Sequence, residues 1–204
     1  MQPIKNIIFD LGGVFIDIHY QKTEDAFIDL GVTDFHTLFT QHHASDIFEL
    51  LETGKLSPEA FYDAFRATTQ LSLSNEQIKT AWNAMLGNFG MEKIEWLRFI
   101  RSKYNIFLFS NTNQIHYDGF MEIYREQTGR EDFNDHFIKA YYSQHIGVRK
   151  PYPESFQYIL KEQGLNVSET LFIDDTLKNI EGAKAVGLQT IHLNAPVSVI
   201  ELGL

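Results

Sequence analysis

Residues 4–14 read IKNIIFDLGGV, and this stretch decides the fold class. The run 4–9 is short, largely apolar and rich in β-branched side chains, which is typical of a buried strand. Asp10 ends the run, and Gly12 and Gly13 then predict a tight turn. The sequence therefore places a carboxylate directly after the first strand, at the start of a glycine-rich loop.

Four further short apolar runs follow along the chain, each separated from the next by a helical pattern. Strands that alternate with helices predict a parallel sheet with helices packed on its faces. We therefore expect an α/β fold. The further strands are expected at 105–109, 137–141, 170–173 and 189–193.

One long segment departs from this alternation, because residues 19–89 carry no evident strand and their helical signals follow one another. At Ser57 a capping residue is followed by proline, and residues 74–77 have the spacing of a capping box. We therefore predict a small, purely helical subdomain at 19–89, inserted into an α/β core that is formed by 1–18 and 90–204.

The composition excludes several classes of partner. The 204 residues include 17 Lys and Arg against 27 Asp and Glu, a net charge of −10, so neither nucleic acid nor an anionic membrane is an expected partner. The absence of cysteine excludes disulfides and zinc–thiolate sites. No segment approaches the roughly 18 apolar residues of a membrane span, and the N-terminus lacks a signal-peptide core. We expect a cytoplasmic protein that is a monomer or a weak homodimer.

Polar residues follow the predicted strands at the edge where open parallel sheets bind their ligands. Asp10 follows the first strand, residues 110–113 (Ser-Asn-Thr-Asn) follow the second, and the pair 174–175 (Asp-Asp) follows the fourth. The loop after the third strand contains Arg-Lys-Pro at 149–151. One topology would bring these groups to one edge, and the set suits phosphoryl transfer.

Phosphoryl transfer needs a nucleophile in line with the leaving group, together with cations and fixed donors for the phosphoryl oxygens. Asp10 can attack, and Lys150 can neutralise charge. The hydroxyl of Ser110 and the amide of Asn111 can donate. Two residues just past the second strand are further candidates for substrate contacts: Asn113 and His116.

The acidic residues also predict a metal site. Asp10, Asp174 and Asp175 would repel one another at close range unless a hard cation lay between them. Mg²⁺ prefers a few carboxylates, waters and a phosphate oxygen as its ligands. The three aspartates therefore imply a Mg²⁺ site.

These motifs, in this order, resemble those of the haloacid dehalogenase superfamily, whose members are mostly Mg²⁺-dependent phosphatases built on a Rossmann-like sheet. The resemblance covers essentially the whole chain and implies a helical cap in the insert. It implies that Asp10 is the nucleophile, that Ser110 and Lys150 belong to the second and third motifs, and that the pair 174–175 is the fourth. The second and fourth motifs are most similar to those of bacterial sugar-phosphate phosphatases of the glucose-1-phosphate phosphatase type.

One position departs from the family pattern, since the usual second aspartate, two residues after the nucleophile, is Gly12 here. The resemblance implies that its carbonyl still binds the metal, but no side chain remains for acid–base work, which contributes about 10²- to 10⁴-fold in rate. We therefore expect a substrate with a good leaving group, such as a hexose 1-phosphate. If another residue supplies the proton, His116 and Asp17 are the first candidates.

Two alternative functions stay open. A 2-haloacid dehalogenase needs neither the acid nor a metal, and the pair 174–175 argues against it. A non-catalytic protein that binds a phosphorylated metabolite would fit Gly12, but Asp10, Ser110 and Lys150 argue against that. The function that we predict is a Mg²⁺-dependent phosphatase that hydrolyses a small phosphorylated metabolite through an aspartyl-phosphate intermediate.

Overall fold

The computed structural model describes residues 3–40 and 43–204, with the backbone alone at residues 43 and 44. The strands in chain order are β1 (Asn6–Phe9), β2 (Ile16–Ile18), β3 (Phe39–Thr40), β4 (His43–Ala44), β5 (Leu86–Phe89), β6 (Asn105–Ser110), β7 (Lys139–Tyr142), β8 (Thr170–Asp174) and β9 (Gln189–His192). The helices are α1 (Tyr20–Asp29), α2 (Asp46–Glu52), α3 (Pro58–Thr69), α4 (Asn75–Asn83), α5 (Met91–Ile100), α6 (Gln114–Thr128), α7 (Ser143–Ile146), α8 (Pro153–Glu162) and α9 (Leu177–Ala185).

A five-stranded parallel sheet forms the core, in the order β7-β6-β1-β8-β9. The predicted α/β fold is confirmed, and the five predicted strands differ from the observed ones by at most two residues at either end. The central strand β1 is buried along its whole length. This position explains its nearly continuous apolar sequence, because both faces of the strand are covered.

Helices cover both faces of the sheet. The side chains of β1 alternate between the two faces, so their contacts show which helices lie on each face. Ile7 and Phe9 pack in the hydrophobic cluster that includes residues of α5 and α6. Ile8 lies in the opposite cluster, with residues of α8 and α9. The successive side chains of a strand point to opposite faces, so a single strand contributes to both cores.

The inserted segment has its own apolar core, built from residues of α1 to α4. Five phenylalanines are completely buried there: Phe27, Phe35, Phe48, Phe61 and Phe65. The predicted helix starts agree with the structure. Ser57 accepts a hydrogen bond from the Ala60 amide at 3.2 Å, and the capping box of Ser74 and Gln77 is complete.

Our prediction that residues 19–89 contain no strand was wrong. Strand β3 pairs with β4, and β5 pairs antiparallel with β2, so that a short ribbon joins the insert to the core. Two-residue strands show no alternation, and β5 contains Gly87 and Asn88, which rarely favour strands. Their pairing partners decide their conformation. The boundaries of the insert itself stay a prediction.

No helix within 3–40 or 43–204 is both long enough and apolar enough to cross a bilayer.

Candidate active site

A buried lysine joins two aspartates at the carboxyl edge of the sheet. The Lys150 Nζ lies 2.7 Å from Asp10 Oδ1 and 2.7 Å from Asp174 Oδ2, and it also donates to the Phe109 carbonyl at 2.9 Å. Lys150 is 1% exposed and Asp174 is completely buried. Asp10 comes directly after β1 and Asp174 ends β8, so the two neighbouring strands fix the separation of these carboxylates. Burial makes such charges costly unless they are paired, and here each has a partner.

Amide side chains hold this cluster in place. Asn111 accepts from the Lys150 amide and donates to the Lys150 carbonyl, both at 2.9 Å, which fixes the loop backbone beside the end of β6. Asn179, in α9, donates to both carboxylate oxygens of Asp174, at 3.1 and 3.0 Å. The Thr176 amide donates to the same carboxylate at 2.7 Å. Groups on adjoining elements therefore fix the Lys150 backbone and the Asp174 carboxylate.

A third carboxylate completes an oxygen-rich cluster. One carboxylate oxygen from each of Asp10, Asp174 and Asp175 lies within 4.8 Å of the others. Lys150 supplies one positive charge against these three negative charges, which leaves the cluster with a net charge of −2 when all are ionised. Hard oxygen donors with this charge fit a divalent cation such as Mg²⁺. The residues present therefore suit the predicted metal.

The pKa values of the cluster reflect burial and charge. Burial, reinforced by Asp174, raises the pKa of Asp10 from 3.8 to about 8. Burial and Asp174 also raise the pKa of Asp175. Burial lowers the pKa of Lys150, but Asp10 and Asp174 outweigh it, and the net shift is upward. Without a cation, the cluster holds more negative charge than Lys150 can compensate.

The cluster opens into a cavity of about 390 Å³. Ser110, at the end of β6, lines this cavity and is itself buried. Asn111 and the backbone of Gly12 lie in the same lining, beside Asp10 and Lys150. The volume is within the range of small-molecule sites, about 300–1,000 Å³.

Comparison with known proteins identifies the family. The model for haloacid dehalogenase-like hydrolases matches residues 4–187. The chain belongs to this family. A D-ribitol-5-phosphate phosphatase from Bacteroides thetaiotaomicron is 36% identical, over 93% of this chain and 91% of its own length. Because the similarity to this phosphatase covers most of both chains, this haloacid dehalogenase-like hydrolase is a phosphoric monoester hydrolase.

Solved structures agree with this assignment. A HAD family enzyme from Bacteroides thetaiotaomicron, in complex with magnesium and inorganic phosphate, is 31% identical with a TM-score of 0.86, covering 96% of this chain and 97% of that one. A HAD-like family hydrolase from Porphyromonas gingivalis is also 31% identical, with a TM-score of 0.84 and coverage of 92% and 90%. A 2-haloacid dehalogenase from Pseudomonas syringae, at 18% identity and a TM-score of 0.56, shares the fold alone.

Two residues predicted to contact the substrate have structural tasks in this hydrolase. Asn113 caps α6, accepting from the His116 amide and contacting His116 Nδ1, both at 3.1 Å. His116 Nε2 lies 3.0 Å from the Trp82 carbonyl, and the two rings stack at 4.4 Å. Although His116 borders the cavity, both ring nitrogens are engaged and burial lowers its pKa to about 4. Substrate contact by these two residues stays a prediction.

The structure gives no support to the two residues that we named as substitutes for the proton donor missing at Gly12, and their role stays a prediction. Both ring nitrogens of His116 already have partners, in Asn113 and the Trp82 carbonyl. Asp17 is exposed and lies outside the cavity lining. Tyr20, at the start of α1, also lies in the cavity lining. Burial raises its pKa, and the carboxylates of Asp175 and Asp10 add to the effect.

Sequence reasoning also missed the wall that the insert contributes to the cavity. Glu49 and Glu52 of α2 lie in the lining together with Arg149. Arg149 Nη2 is 3.1 Å from Glu52 Oε2, and Nη1 is 3.8 Å from Glu49 Oε2. Burial raises the pKa of Glu52, and Arg149 opposes that shift. Only Arg149 carried a signal in the sequence, namely its place beside Lys150.

Proposed function

We propose that this protein is a Mg²⁺-dependent phosphatase that hydrolyses the phosphate monoester of a small sugar or polyol through an aspartyl-phosphate at Asp10. The observation that carries the proposal is the buried contact of Lys150 with both Asp10 and Asp174, in the lining of a cavity of suitable size. This arrangement combines a carboxylate nucleophile with a fixed cation, as phosphoryl transfer requires.

The first step is attack by the Asp10 carboxylate on the phosphorus. A bond forms between the carboxylate oxygen and phosphorus, the ester bond breaks, and the leaving oxygen takes up a proton from solvent water. Lys150 offsets the negative charge of Asp10 and of the phosphoryl oxygens. The Ser110 hydroxyl and the Asn111 amide are the proposed donors to those oxygens.

The second step is attack by water on the phosphorus of the aspartyl-phosphate. The bond between Asp10 and phosphorus breaks, inorganic phosphate is released, and the carboxylate is restored. Asp10, Asp174, Asp175 and the carbonyl of Gly12 would hold Mg²⁺. When bound, the ion supplies charge neutralisation for the phosphoryl oxygens.

Two observations favour two substrate classes within this function. The similarity to a D-ribitol-5-phosphate phosphatase favours a pentitol phosphate, whose leaving group is a primary alcohol. Gly12 favours a hexose 1-phosphate, because an anomeric hydroxyl leaves without strong help from an acid. A cytoplasmic location and a monomeric or weakly dimeric state also stay predictions.

The test is a comparison of kcat/KM for ribitol 5-phosphate and glucose 1-phosphate, with Mg²⁺ and with excess EDTA. We expect turnover of at least one ester with Mg²⁺ and loss of turnover with EDTA. Full activity in EDTA, or release of halide from a 2-haloacid without release of phosphate from any ester, would contradict the proposal.

A further inference from the structure

The cavity has two chemically different ends. The core end contains the reactive cluster around Asp10 and Lys150. A second end is formed by residues of the insert, namely Tyr20, Thr40 and the two glutamates of α2, with Arg149 of the core in contact with Glu52. A phosphate held at the core end leaves this second end to receive the rest of the substrate.

Glu52 is the most enclosed charged group of that second end. It is the last residue of α2, its side chain is 10% exposed, and it lies 3.1 Å from Arg149. Arg149, which Glu52 contacts, directly precedes Lys150 of the reactive cluster in the sequence. The same loop therefore contacts both Glu52, through Arg149, and the reactive cluster, through Lys150.

The pair is not built as a closed structural salt bridge. The Nε of Arg149 is buried without a hydrogen-bond partner among the residues that the structure describes. The contact with Glu52 Oε2 has the distance of an ion pair but lacks hydrogen-bond alignment. A structural Arg–carboxylate pair is commonly bidentate, which satisfies both groups. This geometry suits a site whose polar groups also serve a ligand.

The charge of this end is also informative. Glu49 and Glu52 together outweigh Arg149 by one negative charge. The other lysine of the lining, Lys178, belongs to α9 on the side of Asp175. A carboxylate accepts hydrogen bonds from hydroxyl groups, but it repels a second carboxylate or phosphate.

We propose that Glu52, held by Arg149, is a specificity-determining residue that accepts hydrogen bonds from a neutral polyhydroxy leaving group and rejects leaving groups that carry a second anion. This inference rests on the proposed function, because it needs the phosphate to bind beside Asp10. It narrows the substrate class to phosphorylated polyols and uncharged sugars, and it excludes phosphorylated sugar acids.

The experiment compares three esters with Mg²⁺: ribitol 5-phosphate, 5-phosphoribonate and p-nitrophenyl phosphate. The first two share a five-carbon chain and differ by a carboxylate, and the third reports the chemistry at Asp10 with a leaving group that lacks a hydroxylated chain. In the wild type we expect kcat/KM for ribitol 5-phosphate to exceed that for 5-phosphoribonate by at least about tenfold. Equal values would overturn the inference without any variant.

The variant Glu52→Gln keeps the size of the side chain and removes its charge. We expect the preference for ribitol 5-phosphate over 5-phosphoribonate to fall by about tenfold, mainly through KM. Glu52→Asp keeps the charge and should retain more of the preference. Glu59→Gln, an exposed residue of the same insert outside the cavity lining, is the matched control and should leave the preference unchanged.

The outcomes separate the two levels of the proposal. If the wild type hydrolyses p-nitrophenyl phosphate and Glu52→Gln keeps the wild-type preference, the inference on Glu52 is wrong and the proposed function stands. If the wild type hydrolyses neither these three esters nor glucose 1-phosphate with Mg²⁺, the proposed function fails and this inference fails with it. Should Glu52→Gln not fold, the wild-type preference and Glu52→Asp still decide.

Discussion

Replacing Asp10 by Asn should abolish turnover and, in the absence of metal, stabilise the fold. In the metal-free protein, burial and Asp174 raise the pKa of Asp10 from 3.8 to about 8. Between these values the folded protein binds a proton that the unfolded chain has lost, so the free energy of unfolding falls as the pH rises from about 4 to 8. Asn at this position does not titrate and removes that dependence.

The expected gain in stability follows from the same pKa difference. The full shift of Asp10 corresponds to about 6 kcal/mol at 1.36 kcal/mol per pKa unit. Lys150 keeps Asp174 as its partner in the variant, but it loses Asp10, and the site relaxes. We therefore expect about half of this value, ~3 kcal/mol at pH 8, which is about 6–12 °C in Tm for a chain of this size.

The assay is thermal unfolding of both proteins in EDTA at pH 5 and pH 8, together with phosphatase activity in Mg²⁺. Asp10→Asn should lose more than about 10³-fold in kcat, because an amide is a poor nucleophile. Asp17→Asn, an exposed aspartate of similar position in the chain, is the control and should change neither property. A Tm of Asp10→Asn at pH 8 equal to or below that of the wild type would refute the electrostatic reasoning.

Three further changes test other parts of the site. Asp175→Ala should weaken Mg²⁺ binding, measured by titration of activity, by at least about tenfold, while Tm in EDTA stays at or above the wild-type value, because burial and Asp174 raise the pKa of Asp175 as well; unchanged affinity would remove Asp175 from the metal site. Gly12→Asp should raise kcat/KM for primary-alkyl phosphates over p-nitrophenyl phosphate by about tenfold or more, because it restores an acid for a poor leaving group. Its Cβ would lie 3.2 Å from Ile18 Cγ1, so Ile18 must shift by a few tenths of an ångström, and no left-handed backbone is needed there. An unchanged ratio would mean that no acid is lacking. Asn113→Ala should cost about 1–2 kcal/mol of stability through the lost cap of α6, with KM unchanged, whereas a large rise in KM would show a substrate contact.

The sheet and the reactive cluster could be predicted because they depend on local patterns. Each strand is a short apolar run, and Asp10, Ser110 and Asp174 come at or directly after the end of one, whereas Lys150 lies in the loop that follows β7 and α7. In a parallel sheet those ends meet at one edge, so Asp10 and Lys150 come into contact although 140 residues separate them. A parallel sheet topology was therefore enough to predict that Asp10 and Lys150 lie close together.

The wall formed by the insert could not be predicted, because it depends on how helices of that segment pack against the core. The pairing of Glu52 with Arg149 joins residues whose sequence context shows no shared pattern. The same is true of the stacking of Trp82 on His116, which engages the His116 ring in packing against the insert. Such contacts follow from side-chain shape and complementary surfaces, which hydrophobic periodicity does not encode.

The stereochemical course at phosphorus tests the central claim most directly. A thiophosphate ester made chiral at phosphorus by oxygen isotopes is hydrolysed in ordinary water, and the configuration of the released thiophosphate is determined. Transfer to Asp10 followed by transfer to water consists of two in-line displacements, so we predict net retention of configuration. Net inversion would show a single direct attack by water and would contradict the aspartyl-phosphate account.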